Sequence, residues 1–258
     1  MREQHQPKAG EKIVVWFSCG AASAVAAKMT LDMYGATNEV IIVNNPIKEE
    51  DDDNQRFLKD VEKWLGVKIH SAINSKYKSC SIVDVFEDQN FMANVGGLAY
   101  CTLELKQKAR FEWELKNRPD WTVLGFTKEE EHRFERFQLK RLTSLYILQN
   151  ITKYDCFIIL QEAGIKLPRP YLLGMPNANC KGCIKATSPT YWNLVRKIYP
   201  KDFDERAKQS REIGAKLVRV KGERIFLDEL DPKSKGAPLK DLRFECGIFC
   251  ATDSFDKK

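Results

Sequence analysis

A strand-to-helix junction near the N-terminus, VVWFSCGAASAVAAKMTLDMYG (residues 14–35), constrains the fold more than any other stretch. The apolar run over residues 13–17 predicts a buried strand, and Val25, Met29 and Met33 recur on one face of a predicted helix that ends at Gly35. Only small residues separate the strand from the helix. Such a junction is typical of a parallel α/β sheet, in which ligands bind beyond the carboxyl ends of the strands.

Apolar runs and amphipathic segments alternate after this junction. Further strands are predicted at EVIIVNN, VKIHSA and WTVLGFT, and a helix is predicted at NQRFLKDVEKWLG. This alternation predicts a parallel twisted sheet with helices on both faces, which is a Rossmann-like α/β fold. We assign this fold to residues 1–136.

The second half of the chain has a different pattern. Helical periodicity occurs around residues 131–150, 152–163 and 189–213, and two short strand-like stretches, AKLVRV and RIFLDEL, follow it. We therefore expect residues 137–258 to form a mostly helical lobe that carries a Cys-x-x-Cys pair and a cysteine-containing tail. The alternative is a single continuous domain.

Charge and cysteine content narrow the possible functions. The 42 Lys and Arg residues exceed the 36 Asp and Glu residues, and the formal charge of +6 favours an anionic partner only mildly over an ordinary mixed-charge surface. We find no secretory signal and no apolar stretch long enough to span a bilayer, so we expect a cytoplasmic protein without a membrane partner. In a reducing compartment, eight cysteines indicate metal or redox chemistry rather than disulfides.

The bend between the first strand and the first helix is a candidate anion site. Free backbone N–H groups and the positive end of the helix dipole favour a phosphate there, and small residues allow it to approach. Ser18, Gly20 and Ser23 suit this role. The alternative is an ordinary tight turn that Ser23 caps.

Two cysteine pairs are candidate metal ligands: Cys180 with Cys183, and Cys246 with Cys250. Together they could supply the four sulfur atoms that suit zinc or an iron–sulfur cluster. A redox dithiol and simple burial are the alternatives. Cys19, Cys80 and Cys156 have no partner by spacing, and we expect them to be buried.

The bend FSCGAAS resembles the Ser-Gly-Gly-x-x-Ser loop of the PP-loop adenine-nucleotide alpha-hydrolase superfamily, with Cys19 in place of the first glycine. Other segments resemble, in the same order, landmarks of the phosphoadenylyl-sulfate (PAPS) reductase family within that superfamily. These segments are VNNPIKEEDDDNQRFLKDVEKWLG, YCTLELK, VLGFTKEEEHRFER, YDCFIILQEAGIKLPRPYLLGMPNANCKGC and FECGIFC. The chain departs from the family pattern at Asn44, Tyr100, Thr127 and Phe249.

The resemblance implies a set of site residues. The implied nucleotide-binding residues are Ser18, Cys19, Gly20, Ala21, Ala22, Ser23, Asn44, Gly125, Thr127 and Arg133. The implied catalytic residues are Cys101, Lys106 and Cys246, and the implied metal ligands are Cys180, Cys183, Cys246 and Cys250, with Cys101 as an alternative ligand. The acidic loop over residues 49–53 is a candidate contact for adenosine or magnesium.

Three functions are compatible with this resemblance. The first is reduction of adenylyl sulfate or phosphoadenylyl sulfate by a thiolate, with a thiol-redox protein as partner. The second is an ATP pyrophosphatase-type sulfurtransferase, in which a 4Fe–4S cluster held by three cysteines, or a sulfur donor, thiolates an adenylated nucleic acid. The third is a nucleotide-binding regulator without activity.

Overall fold

The computed structural model describes residues 6–92, 94–95 and 98–242. The strands are β1 (Lys12–Phe17), β2 (Glu39–Asn44), β3 (Ile69–Ser71), β4 (Asn94–Val95), β5 (Leu98–Ala99), β6 (Trp121–Leu124), β7 (Ser144–Leu145), β8 (Val218–Val220) and β9 (Glu223–Ile225). The helices are α1 (Ala21–Tyr34), α2 (Asp53–Leu65), α3 (Ile82–Gln89), α4 (Tyr100–Thr102), α5 (Ala109–Asn117), α6 (Glu131–Lys140), α7 (Lys153–Glu162), α8 (Arg169–Leu172), α9 (Pro189–Ile198) and α10 (Pro200–Ile213). A π-helical segment, Leu103–Lys108, joins α4 to α5, and short 3₁₀ turns cover Lys128–Glu130, Leu227–Glu229 and Leu239–Asp241.

Strand β1 is the middle strand of a five-stranded sheet with the order β3-β2-β1-β6-β7. All four strand pairs of this sheet are parallel. The residues of β1 from Ile13 to Phe17 are at most 2% exposed. Burial on both faces explains why this strand reads as a continuous apolar run rather than as an alternation of apolar and polar residues.

Helices cover both faces of the sheet. Val15 and Phe17 share a buried cluster with the small residues of α1, while Trp16, which points to the opposite face, makes an edge-on contact with Trp113 of α5 at 5.6 Å between ring centroids. Val25 of α1 is fully buried, but Met33 is 58% exposed, so the apolar face predicted for this helix ends before Met33. The predicted parallel α/β sheet with helices on both faces is confirmed.

The chain forms two compact units that interleave in sequence. Unit 1 contains Met1–Pro46, Asp52–Ala72 and Phe111–Pro168, and holds the parallel sheet. Unit 2 contains Ile47–Asp51, Ile73–Arg110 and Arg169–Lys258. Its core is formed by residues of α3, α9 and α10 and by the hairpin β8–β9.

The two units do not coincide with the two predicted domains, residues 1–136 and 137–258, because each unit combines separate segments of the chain. Residues 141–150, which carry a helical sequence pattern, contain β7 instead, and β7 hydrogen-bonds to β6. The segment Phe111–Pro168 therefore belongs with the sheet, on both sides of residue 137. The C-terminal region is mostly helical as expected, although Pro200 divides the pattern over residues 189–213 into α9 and α10.

Within the described ranges, no helix combines the length and the apolar character needed to cross a bilayer.

Candidate functional site

The bend after β1 has the backbone conformation that a glycine would normally provide. Cys19 has a φ of +54°, in the left-handed region, and its side chain is 2% exposed. Gly20 then takes an extended conformation as the N-cap of α1, and no side chain caps this helix end. The backbone N–H groups in the first turn of α1 therefore have no side-chain cap.

The two serines of the bend are joined to each other. Both the backbone N–H and the hydroxyl of Ser18 donate to Ser23 Oγ, at 3.1 and 3.2 Å, and Ser23 Oγ donates to the carbonyl of Gly20 at 2.9 Å. Ser23 is buried, whereas Ser18 is exposed. Ser23 thus holds the shape of the bend, and Ser18, Gly20 and Ala22 form its accessible surface.

The ends of the neighbouring strands β2 and β6 also reach this bend. Asn44, the last residue of β2, donates its Nδ2 to the carbonyl of Phe17 at 2.8 Å and lies 3.7 Å from Cys19 Sγ. Gly125 follows β6, and a Cβ at this position would come within 2.7 Å of the backbone nitrogen of Ser23. The end of β6 can therefore approach α1 this closely only because residue 125 is glycine.

The loop after Gly125 is closed by hydrogen bonds within the protein. The backbone N–H of Thr127 donates to Glu130 Oε2 at 3.1 Å, and the hydroxyl of Tyr146 donates to the Thr127 carbonyl at 2.8 Å. Arg133 forms an ion pair with Glu130 and lies 4.9 Å from the ring centroid of Phe126. The structure brings Ser18–Ser23, Asn44 and Gly125 together in unit 1, whereas Arg133 contacts Glu130 and Phe126 of the neighbouring loop.

The acidic loop contacts protein groups. In unit 2, Glu49 accepts hydrogen bonds from the Ser81 hydroxyl at 2.6 Å and from the backbone N–H of Ile82 at 2.9 Å, at the start of α3. Asp51 has a fully buried carboxylate that accepts from Arg169 and, at 2.5 Å, from the hydroxyl of Tyr199. These carboxylates stabilise unit 2, and their contacts give no support to the expected magnesium or adenosine site.

Lys106 also has a protein partner. It lies in the π-helical segment of unit 2 and is 6% exposed. Its Nζ is 3.5 Å from Glu50 Oε1, and both side chains are almost completely buried. The structure accounts for Lys106 by this ion pair, and its implied catalytic role stays a prediction.

The pair Cys180 and Cys183 lies in a turn inside the core of unit 2. Each cysteine is 6% exposed, and Gly182 between them has a φ of +73°. The backbone N–H of Cys183 donates to the hydroxyl of Tyr191 at 2.8 Å. Cys101, at the start of α4, packs against the same core. Among the described residues, no disulfide joins two cysteines.

Cys101, Cys180 and Cys183 share one core but do not form a binding site for a single metal ion. Among the described residues, no three Cys, His, Asp or Glu side chains are arranged as ligands of a single ion. An iron–sulfur cluster places its cysteines farther apart than a lone zinc ion does, because each cysteine binds a different iron. The remaining predicted ligands, Cys246 and Cys250, lie outside the described residues.

Two buried donors beside the cysteines fit a group that contains sulfur. Asn179 Nδ2, next to Cys180 in sequence, and Arg206 Nε have no hydrogen-bond partner among the described residues. Buried donors without an acceptor are rare in proteins, and a bound water or ion commonly satisfies them. The sulfides of a 4Fe–4S cluster held by Cys101, Cys180 and Cys183 would supply such acceptors.

A small pocket opens at Cys180. It is lined by Pro170, Met175, Pro176, Asn177, Asn179, Cys180, Lys181, Tyr191 and Tyr199. Burial raises the pKa of Tyr191 well above its ordinary value, so this hydroxyl stays protonated. Cys180 is therefore one of the residues that line a recess next to a protonated tyrosine hydroxyl.

The other cysteines have different surroundings. Burial raises the pKa of the Cys156 thiol, inside the core of unit 1, to about 12, which keeps it protonated and unreactive at neutral pH. Burial and then the carboxylate of Glu49 raise the pKa of the half-buried Cys80 thiol. Neither thiol has the surroundings of a reactive thiolate.

No protein-family profile matches this chain, and no curated protein matches its sequence. Among solved structures, the chain is similar to the U34-tRNA thiolase NcsA from Methanococcus maripaludis, which was determined with its 4Fe–4S cluster. The match covers 95% of this chain and 79% of that chain, with 13% sequence identity and a TM-score of 0.48. Identity this low assigns no residue role and no activity to the present chain.

Proposed function

We propose that this protein is an ATP-dependent sulfurtransferase that adenylates a carbonyl oxygen of a nucleic-acid base and replaces that oxygen with sulfur. The observation that supports the proposal is that Cys101, Cys180 and Cys183 share the core of unit 2, which also contains two buried donors without an acceptor among the described residues. The proposal replaces sulfonucleotide reduction, which the sequence pattern alone favours.

Unit 1 is assigned the binding of ATP. The bend at Ser18–Ser23 offers uncapped N–H groups at the start of α1, and its accessible residues are small. These groups would bind the phosphates while the base oxygen attacks the α-phosphorus. One P–O bond forms, the bond to the β-phosphate breaks, and pyrophosphate leaves.

We assign to unit 2 the binding of the sulfur that is transferred. A 4Fe–4S cluster with three cysteine ligands supplies an open coordination position for hydrosulfide when it is bound. Cys101, Cys180 and Cys183 would hold the group, and the buried surroundings would exclude water. Hydrosulfide attacks the activated carbon of the base, the C–O bond breaks, and AMP leaves, so no external oxidant or reductant is required.

Sulfonucleotide reduction has less support from the residues that would bind a sulfated nucleotide. Thr127 stands where the family pattern has an arginine, and its backbone N–H and hydroxyl contact Glu130. Arg133, the nearest basic candidate in sequence, is paired with the same glutamate. The expected nucleophile Cys246 lies outside the described residues.

A basic hairpin in unit 2 supports a nucleic acid as the acceptor. In β8–β9, Arg219 lies directly opposite Arg224, and both side chains are exposed. Like charges at facing positions destabilise a hairpin. After burial, the charge of Arg219 is the cause that lowers the pKa of Arg224. A phosphate backbone would relieve this repulsion.

The test uses the anaerobically purified full chain, reconstituted with iron and sulfide. It is incubated with ATP, magnesium, ³⁵S-sulfide and bulk tRNA or DNA, and pyrophosphate and incorporated ³⁵S are measured. We expect equal amounts of both products with one class of nucleic acid. Cys180→Ser should reduce ³⁵S incorporation at least a hundredfold, while Cys80→Ser, a matched loss of a thiol outside the cysteine core, should retain it.

Parallel incubations with adenylyl sulfate and phosphoadenylyl sulfate, in the presence of a dithiol, are scored for sulfite. Release of sulfite without any incorporated ³⁵S would reject the sulfurtransferase and restore the reductase. Binding of ATP with neither product would indicate a regulator.

A further inference from the structure

Arg206 is a buried cation in the core of unit 2. It lies on α10, is 5% exposed, and its guanidinium is 5.3 Å from the ring centroid of Phe86. Its Nη1 donates to the side chain of Gln209. Arginine is almost never buried to this extent unless a negative charge accompanies it.

No carboxylate among the described residues forms an ion pair with Arg206. Glu49 is the carboxylate with the largest electrostatic effect on Arg206, and both of its oxygens accept hydrogen bonds from Ser81 and Ile82. The aromatic ring of Phe86 and the neutral amide of Gln209 cannot neutralise a full charge. Among the described residues, the charge of Arg206 is therefore offset only at a distance, by a carboxylate that forms no ion pair with it.

The remaining groups in range are the three cysteines of the sulfur site. Burial lowers the pKa of Arg206, and Glu49, Cys180, Cys101 and Cys183, in that order, act in the opposite direction when they are negative. The Nε–H of Arg206 is buried and has no acceptor among the described residues. An anionic sulfur group would provide both the missing charge and the missing acceptor.

We propose that Arg206 is the countercharge of the sulfur site formed by Cys101, Cys180 and Cys183, and that its Nε–H donates a hydrogen bond to an anionic sulfur held there. The inference rests on the proposed function, because it requires sulfur in that site. Arg206 is a positioning residue, since it acts on the bound sulfur group and not on the nucleic acid or ATP.

This role has a consequence for the bound group. A fixed positive charge and an N–H···S hydrogen bond stabilise the more negative, reduced form of an iron–sulfur centre, and hydrogen bonds to the sulfurs raise its reduction potential. The positive charge and the hydrogen bond also strengthen the binding of the negatively charged iron–sulfur group, because the core excludes water. Removal of the charge should lower the potential and speed the loss of iron.

The experiment compares the reconstituted wild-type chain with Arg206→Gln, Arg206→Lys and the control Lys208→Gln. Lys208 lies on the same helix but its side chain is 79% exposed, so the control removes an equal charge away from the core. Iron and sulfide per chain, the midpoint potential from an EPR-monitored redox titration, and the rate of iron loss to a chelator are measured.

We expect Arg206→Gln to lose iron at least tenfold faster and to have a lower midpoint potential, with Lys208→Gln like the wild type. Arg206→Lys keeps the charge but not the Nε–H, so it should fall between them, and it decides the question if the glutamine variant does not fold.

A purely structural role predicts a different result: an unchanged potential and iron-loss rate, with melting temperatures lowered equally with and without the cluster. That result would overturn the inference and leave the sulfurtransferase intact. A wild-type chain that takes up neither iron nor sulfide would instead remove the proposed function together with this inference.

Discussion

At the scale of single residues, Cys19 is the position where this chain departs most clearly from a standard phosphate-binding bend. It takes the left-handed conformation that glycine adopts without strain, and its side chain is buried next to Asn44. Cys19 keeps the backbone shape of the bend, and its thiol fills the inner side of the bend. The accessible side is left to Ser18, Gly20 and Ala22.

A pair of substitutions at Cys19 tests whether the backbone shape is what matters. Cys19→Gly relieves the strain but loses a buried side chain, so we expect stability within about 1 kcal/mol of the wild type and unchanged ATP affinity. Cys19→Val places a β-branched residue at a positive φ, which should cost about 1–3 kcal/mol and weaken ATP binding at least tenfold.

Chemical denaturation and equilibrium binding of ATP measure these two effects. Equal ATP affinity in Cys19→Gly and Cys19→Val would contradict the assignment of the bend as the phosphate site.

The bend and its serines could be predicted from sequence because small residues between a strand and a helix have few structural roles. Arg206 could not be predicted. It lies in the segment FDERAKQSREIG, where charged residues occur at almost every turn, and nothing in that pattern separates a buried arginine from a solvated one. Only the packing of α10 against Phe86 and the cysteine core decides its burial.

At the scale of secondary-structure elements, the hairpin β8–β9 is the surface that we propose for contact with an anionic partner. Lys221 and Gly222 form its turn with positive φ values of 49° and 91°, and the two facing arginines lie next to that turn. The segments AKLVRV and RIFLDEL were predictable as strand-like, but only Val218–Val220 and Glu223–Ile225 form strands, and Leu227–Glu229 forms a 3₁₀ turn. The pairing register that brings the arginines together was not predictable.

Replacing both Arg219 and Arg224 with glutamine tests this surface. We expect weaker nucleic-acid binding and a salt dependence, d log K/d log[salt], that is smaller by about 1–2, because two phosphate contacts are lost. The stability should change by less than about 1 kcal/mol, since a repulsive pair is removed.

Fluorescence anisotropy at several salt concentrations measures the slope. The control replaces Lys201 and Lys208, two exposed lysines of α10, with glutamine. An equal loss of slope in both double variants would indicate a general effect of net charge and exclude a specific role for the hairpin.

At the scale of the whole molecule, each proposed half-reaction is assigned to one of the two compact units. The parallel sheet was predictable because its central strands are continuous apolar runs, each followed by an amphipathic helix. The division into units was not, because residues 47–51 and 73–110 join the C-terminal part through contacts that local sequence does not encode. The sequence pattern also missed β7, which has only two residues.

The assignment of half-reactions predicts that they can be separated by mutation. Cys180→Ser should form pyrophosphate from ATP and nucleic acid within about twofold of the wild-type rate, but without sulfur transfer. Cys19→Val should lose pyrophosphate formation but keep its iron, because the cysteines of unit 2 are unchanged. Pyrophosphate release and iron content, measured on the same preparations, test this separation. Loss of pyrophosphate formation in Cys180→Ser would contradict it.

The buried pairing of Asp51 with Arg169 implies an order of events while the ribosome makes the chain. The two residues are 118 positions apart, so the carboxylate of Asp51 emerges long before the guanidinium that neutralises it. Everything that unit 1 needs has been translated by Pro168, whereas unit 2 must wait for the segment that begins at the next residue. Unit 1 can therefore fold first, and the cysteines of unit 2 become enclosed only after the segment that follows Pro168 has been made.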